Sequence, residues 1–167
     1  MALLNILHYP DERLQLKAVA VEKFDAELKQ LVADMTETMY DHNGIGLAAT
    51  QVNVQKRLFI TDLAKEGQPS QLTVFINPVI SNKSGEVKGD EGCLSVPGVF
   101  EPVTRAEKIT VDYQDLDGNP QSLTCEGLQA ICIQHENDHL DGKVFVDYLS
   151  ALKKNFIKKK MKKLFRD

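Results

Sequence analysis

The sequence predicts an α+β fold, and three observations carry that expectation. A helical apolar repeat stands near the start, the middle of the chain is rich in β-formers, and two further helical stretches close it. Strands do not alternate regularly with helices, which argues against a doubly wound sheet.

The first helix is read from Leu28, Leu31, Val32, Met35 and Met39, which recur at helical spacing. Asp25 is placed to cap it and Asn43-Gly44 to end it. Residues 57–63 and 72–80 read as strands, with 67–70 as the loop between them. Residues 52–54 begin to look extended. Residues 108–113 alternate, a turn follows at Asp117-Gly118, and 121–125 form the returning strand of a hairpin. Residues 126–140 read as a buried helix stopped by Asp141-Gly142, and 144–148 as one more short strand. Ser150 caps a last helix with Leu152, Phe156, Ile157, Met161, Leu164 and Phe165 along one side. Residues 64–71 and 98–104 carry no interpretable pattern. The expected arrangement is a single catalytic domain over 1–167, with antiparallel or mixed sheets around a central helix and a basic C-terminal helix over 150–167.

The 167 residues suit one domain with a sizeable core. Apolar residues make up 43% and charged residues 26%, an ordinary globular balance. No apolar run reaches the roughly 18 residues that a membrane span needs. Residues 1–10 lack a basic leader and read as neither a signal nor a transit peptide. Three cysteines without a secretion signal argue for a reducing cytoplasm rather than a disulfide framework. Charge is uneven. Residues 150–167 hold eight Lys/Arg against one Asp, a net +7, which leaves −11 on the rest of a chain whose total is −4. A basic tail on an acidic body points to an anionic partner.

The most informative stretch is 134–140, Gln-His-Glu-Asn-Asp-His-Leu, an H-E-x-x-H pattern on the expected buried helix. His135 and His139 lie one turn apart on one face, so both rings can reach one ion. Glu136 falls beside that ion, where a general base belongs. Two histidines and a glutamate among Leu128, Ala130, Ile131, Cys132 and Ile133 need partners, since unpaired buried polar groups are costly. A hydrolytic site needs a third protein ligand and an open position. Phe145 occupies the step where one protease class places a downstream histidine, and no glutamate follows Glu136. The third ligand is therefore sought upstream. His8 and His42 lie in poor contexts, so the cysteines are better candidates. Cys93 is favoured because Gly92 beside it permits close approach. Cys125 and Cys132 each have a packing explanation. Ligation by two nitrogens and a sulfur by itself suggests zinc.

Residues 44–51, Gly-Ile-Gly-Leu-Ala-Ala-Thr-Gln, formally satisfy G-x-G-x-x-A, with Asp62 18 residues after Gly44. A dinucleotide fingerprint follows a strand and opens a helix, whereas this segment follows a helix. A tight helix-to-strand turn is the preferred reading, with Gln51 offering an amide donor.

The three segments GIGLAATQ (44–51), EGCLS (91–95) and QHENDHL (134–140), in that order, resemble the peptide deformylase family. The likeness extends to HYPDERL (8–14) and the basic C-terminal helix. It implies a hydrolase that removes the N-formyl group from the formylmethionine end of nascent polypeptides in the cytoplasm and releases formate. By that resemblance Cys93, His135 and His139 bind the metal, and Glu136 is the acid–base. Gln51 and the backbone N–H of Leu94 hold the oxyanion, while Ile45, Gly46, Ile131 and Cys132 lie near the methionine side chain. The implied ion is Fe2+, replaceable by Zn2+, Ni2+ or Co2+. Glu91 and Asp138 are expected to orient the histidines, with Arg105 paired to an acid such as Glu91. Lys153, Lys154, Lys158, Lys159, Lys160, Lys162, Lys163 and Arg166 form either a plain solvated helix face or, as the resemblance implies, a surface that docks on ribosomal RNA; no membrane or DNA partner is expected. The sequence also admits two rival readings: a metallopeptidase, and a ribosome-associated binding protein with a structural metal.

Overall fold

The computed structural model describes residues 2–165. Helix α1 (Ala26–Asp41) begins where the Asp25 carboxylate accepts the Leu28 N–H at 3.0 Å, satisfying one of the free donors of a helix start. It ends at His42 and Asn43, the latter at φ 55, a conformation asparagine tolerates. A three-residue strand β1 (Gly46–Ala48) follows, then a 3-10 turn over Ala49–Val52. Residues 52–54 are therefore not extended as expected: Asn53 adopts φ 63 and closes the turn.

Strands β2 (Leu58–Thr61) and β3 (Thr73–Ser84) form as expected, though β3 runs further. Strands β4 (Val87–Cys93) and β5 (Val96–Arg105) have no counterpart in the sequence reading, which left 98–104 without a pattern. Gly89, Gly92, Pro97, Gly98 and Pro102 interrupt any alternation there. Strands β6 (Lys108–Gln114) and β7 (Pro120–Glu126) make the expected hairpin. All named strand pairs are antiparallel, in a five-stranded sheet of order β1-β2-β3-β6-β7 and a separate β4-β5 pair.

Helix α2 (Leu128–Leu140) crosses the large sheet. Its Ala130, Ile133 and Leu140 pack with Phe59, Phe75, Ile109 and Val111 in one core cluster. Helix α1 forms a second cluster with Leu47, Leu58, Ile60 and Ile76. Alternate residues of β1 and β2 thus feed two cores, which is how their apolar runs are buried on both faces. Gly142, at φ 78, ends the α2 region as expected, and a Cβ there would lie 2.3 Å from the Gln15 carbonyl oxygen.

The expected strand at 144–148 is instead a 3-10 turn over Phe145–Tyr148. The Asp147 carboxylate accepts the Val144 N–H at 2.9 Å, a local partner that competes with a ladder. Phe145 and Val146 are both buried, which an alternating strand would not allow. Helix α3 (Ala151–Leu164) starts at Ser150, whose hydroxyl accepts the Lys153 N–H. Only Ile157 and Met161 of its expected apolar side are buried; Leu152 is 81% and Phe156 69% exposed. At about 100° per residue these two sit well off the Ile157–Met161 seam. Among the described residues, no helix is long and apolar enough to cross a membrane.

Candidate active site

Helix α2 and the end of β4 meet at one point. His135 and His139 come from successive turns of α2, and Cys93 from the last residue of β4. One donor atom of each lies within 4.8 Å of the other two, and Cys93 Sγ stands 3.4 Å from His139 Nε2. Tetrahedral zinc-type bond lengths put S···N at about 3.6 Å, so the donor set fits a single ion. This is a metal-binding site, and the residues it brings together are those favoured from sequence. Cys125 is buried elsewhere, on strand β7 of the large sheet. Cys132 lies in the cleft wall, where burial pushes its thiol well above the usual range. His8 stacks on Phe165 at 3.8 Å instead of joining the set, and His42 stands at the cleft's edge, bonded to the Thr38 carbonyl.

One of the three, His135, is held by a buried chain of acid–base pairs. His135 Nδ1 meets Glu91 Oε1 at 2.9 Å, which leaves its Nε2 for the metal. Glu91 takes two bonds from Arg105, both at 2.8 Å, and Arg105 also reaches Asp138. Burial would raise the Glu91 carboxyl, but the bonds from Arg105 and His135 prevail and hold it at about 2. Burial likewise pulls His135 down, yet its bonds to Cys93 and Glu91 hold it well above its ordinary value. His139 has no carboxylate partner, and its Nδ1 has no hydrogen bond among the described residues; burial, with the charges of His135 and Arg105, takes it well below its ordinary value, so it stays neutral and ready to ligate. The pairing of Arg105 with Glu91 is as expected; that Arg105 also binds Asp138 is not apparent from sequence.

Glu136 is buried, and its Oε1 has no hydrogen-bond partner among the described residues. Burial lifts its carboxyl to about 7, where it can both take and give a proton. Gly46 makes room for it: a Cβ at 46 would lie 2.5 Å from Glu136 Oε2 and 3.1 Å from Cys132 Sγ. Gln51 is locked in place. Its Oε1 accepts the Ala48 N–H at 2.9 Å, and its Nε2 donates to Ser95 Oγ at 3.1 Å and lies 3.4 Å from Cys93 Sγ. The Ser95 N–H also donates to Cys93 Sγ. The role of Ser95 is not apparent from sequence, although its place two residues after Cys93 is a signal. Leu94, at the β4–β5 turn, packs against Gly44.

These groups open into a cavity of about 480 Å³ with mostly apolar walls that include Ile45, Leu94, Phe100, Leu128, Ile131 and Cys132. All four expected pocket residues, Ile45, Gly46, Ile131 and Cys132, line it. Phe100, on β5, lies against Gly92 and is a wall the sequence did not reveal. A set of three candidate protein ligands, a buried carboxyl beside one of them in the chain and an apolar cleft fit a metal-dependent hydrolase.

The comparisons with known proteins narrow the class. A model of the polypeptide deformylase family matches residues 3–155. The peptide deformylase of Chromobacterium violaceum is 58% identical over 163 residues, covering 98% of this chain and 96% of that one. That of Neisseria gonorrhoeae is 55% identical with the same coverage. The crystal structure of a peptide deformylase from Legionella pneumophila is similar at TM-score 0.92 and 47% identity, covering 98% and 96% of the two chains. That from Ehrlichia chaffeensis in complex with actinonin is similar at TM-score 0.95 and 44% identity, with both chains fully covered. The chain belongs to the peptide deformylase family.

Proposed function

We propose that residues 1–167 act as one catalytic unit that hydrolyses the N-formyl group from the formylmethionine end of nascent polypeptides, giving formate and a free methionine amine. The observation that carries this reading is a buried carboxyl with an unpartnered oxygen, Glu136, on the same helix as the histidines of a Cys93–His135–His139 metal set that opens on an apolar cleft. The metallopeptidase and structural-metal readings are not favoured, because close deformylase relatives match nearly the whole chain.

Cys93, His135 and His139 hold the metal. When bound, a divalent ion there supplies Lewis acidity, activating a water and polarising the formyl carbonyl. The ion we assign is Fe2+, supported by the family likeness; the same N/N/S set also accepts Zn2+, Ni2+ or Co2+. The Glu136 carboxylate removes a proton from the attacking water as the new C–O bond forms. The charge that develops on the formyl oxygen is stabilised by Gln51 Nε2–H and the Leu94 backbone N–H, and losing one such donor costs about 10²–10³ in rate. Glu136 then returns its proton to the nitrogen as the C–N bond breaks. Ile45, Gly46, Ile131 and Cys132 receive the methionine side chain, an apolar surface with few polar groups.

Acting on nascent chains places the enzyme in the cytoplasm. The lysines of α3, most of them exposed, form the surface that meets ribosomal RNA, by phosphate contacts that weaken steeply with salt. Arg166, also expected to contribute, lies outside the described residues.

The test is formate release from a short formyl-methionyl peptide by anaerobically purified protein of measured metal content. Release that is abolished by chelator and by Glu136→Ala, in a variant that keeps its metal, is the expected result. No release from fully loaded protein overturns the reading.

A further inference from the structure

The metal ligand His135 stands at the end of a chain of contacts that begins at the surface. His135 Nδ1 meets Glu91, Glu91 is gripped through both oxygens by Arg105, and Arg105 reaches Asp138 Oδ2 with its remaining Nη1. The same Oδ2 accepts the hydroxyl of Tyr148 at 2.8 Å. The guanidinium carbon of Arg105 also lies 5.1 Å from the centre of the Tyr148 ring, within range of a cation–π contact. Tyr148 therefore touches both ends of the Arg105–Asp138 pair. It comes from the 3-10 turn after α2, whereas the other members lie on α2, β4 and β5.

We propose that Tyr148 is a positioning residue for the metal site, acting on His135 through Asp138, Arg105 and Glu91. This rests on the assignment of Cys93, His135 and His139 as the metal ligands. A guanidinium is a planar fork, and its grip on Glu91 is two-pronged only while its plane is held. The Tyr148 ring supplies a wall for that plane. The hydroxyl holds the Asp138 carboxylate, which would otherwise be free to turn, in the orientation that receives Nη1. Glu91 in turn orients the His135 ring, and groups of that kind contribute measurably to metal retention. Burial and the neighbouring Asp138 raise the Tyr148 phenol to about 12, so its proton stays available for donation. Tyr148 is half exposed and contributes little to the core, which separates positioning from packing.

Two variants test this in the metal-loaded full chain. Tyr148→Phe keeps the ring and the turn and removes only the hydroxyl; Tyr148→Leu removes both contacts. Direct partners of metal ligands typically change affinity about 10–100-fold. One step further out, metal release into excess chelator should quicken about 3–10-fold for Tyr148→Phe and more for Tyr148→Leu. The visible spectrum of the cobalt-loaded protein should shift in the same order, because it reports ligand geometry, and kcat should fall with KM little changed. Release rates and cobalt spectra within twofold of wild type in both variants overturn the proposal, whatever happens to thermal stability. An altered Tyr148→Leu beside a wild-type-like Tyr148→Phe keeps the ring as the positioning contact and removes the hydroxyl from it. Neither readout depends on deformylation, so wild-type protein that holds its metal but releases no formate overturns the proposed function and leaves this proposal to be decided separately.

Discussion

Gly46→Ala should leave a folded, metal-loaded protein that hardly turns over. The added Cβ would stand 2.5 Å from Glu136 Oε2 and 3.0 Å from Cδ, whereas ordinary contact begins near 3.4 Å. Relief requires the carboxylate to withdraw by about 0.9 Å. Strand β1 has little room to move instead, since Gly46 pairs with Thr61 and the neighbouring Leu47 and Ala48 are fully buried. A misplacement of about 1 Å in a reacting group costs on the order of 10²-fold, or about 2.7 kcal/mol of transition-state stabilisation. The cost to folding is smaller, because the displaced atoms are the far end of a side chain that holds no hydrogen bond at Oε1. The assay is kcat/KM on a formyl-methionyl peptide, measured with metal content and melting temperature. The expected outcome is roughly 100-fold lower kcat/KM at wild-type metal stoichiometry. Full activity would refute the placement of Glu136 as the acid–base, and loss of metal would show that Gly46 serves the ligands instead.

Glu136→Gln should keep the metal and lower kcat by about 10²–10⁴, the usual worth of a positioned acid–base, as read by steady-state kinetics on metal-analysed protein. The pH profile follows from the same group. Glu136 must be ionised to act as base, and burial lifts it to about 7 from its ordinary 4.5. A bound cation favours the carboxylate, so kcat/KM should fall as pH drops, with a midpoint between 4.5 and 7, and that limb should vanish in the Gln variant. Gly142→Ala should destabilise by about 1–3 kcal/mol in denaturant melts, from its φ of 78 and the 2.3 Å approach to the Gln15 carbonyl, with activity per folded molecule unchanged.

The metal site is readable in the sequence because its ligands carry their own geometry. Two histidines four apart on a helix share a face whatever the surrounding fold, and Cys93 beside Gly92 marks a close approach. Helix α1, strands β2 and β3 and the β6–β7 hairpin are readable for the same reason, each being a local pattern with its own cap or turn. What escapes is set by partners distant in the chain. The β4–β5 pair is held by ladder bonds between segments that contain three glycines and two prolines, so no alternation betrays it. The turn at 145–148 depends on one Asp147 side chain accepting a backbone N–H. Tyr148 enters the site only because that turn delivers it to Asp138. Its short apolar run carries no trace of this.

The site sets two carboxyls to opposite tasks through their surroundings alone. Glu91 and Glu136 are both buried. Arg105 donates twice to Glu91 and holds it at about 2, so Glu91 remains an acceptor that orients His135. Glu136 has no donor at Oε1, and burial lifts it to about 7. The carboxyl proposed to exchange protons at neutral pH is thus left without strong partners, while the one proposed to stay ionised is given them. The signs for stability are opposed as well. Glu91, depressed from 4.5, stabilises the fold above that pH and loses its contribution as pH falls toward 2. Glu136, raised from 4.5, costs stability as pH climbs from 4.5 toward 7, because burial penalises its charge. Removing Arg105 would therefore do more than break a buried pair, a loss of about 3–5 kcal/mol. It would leave Glu91 buried without its main donor and make the carboxyl that meets His135 resemble the proposed acid–base, Glu136.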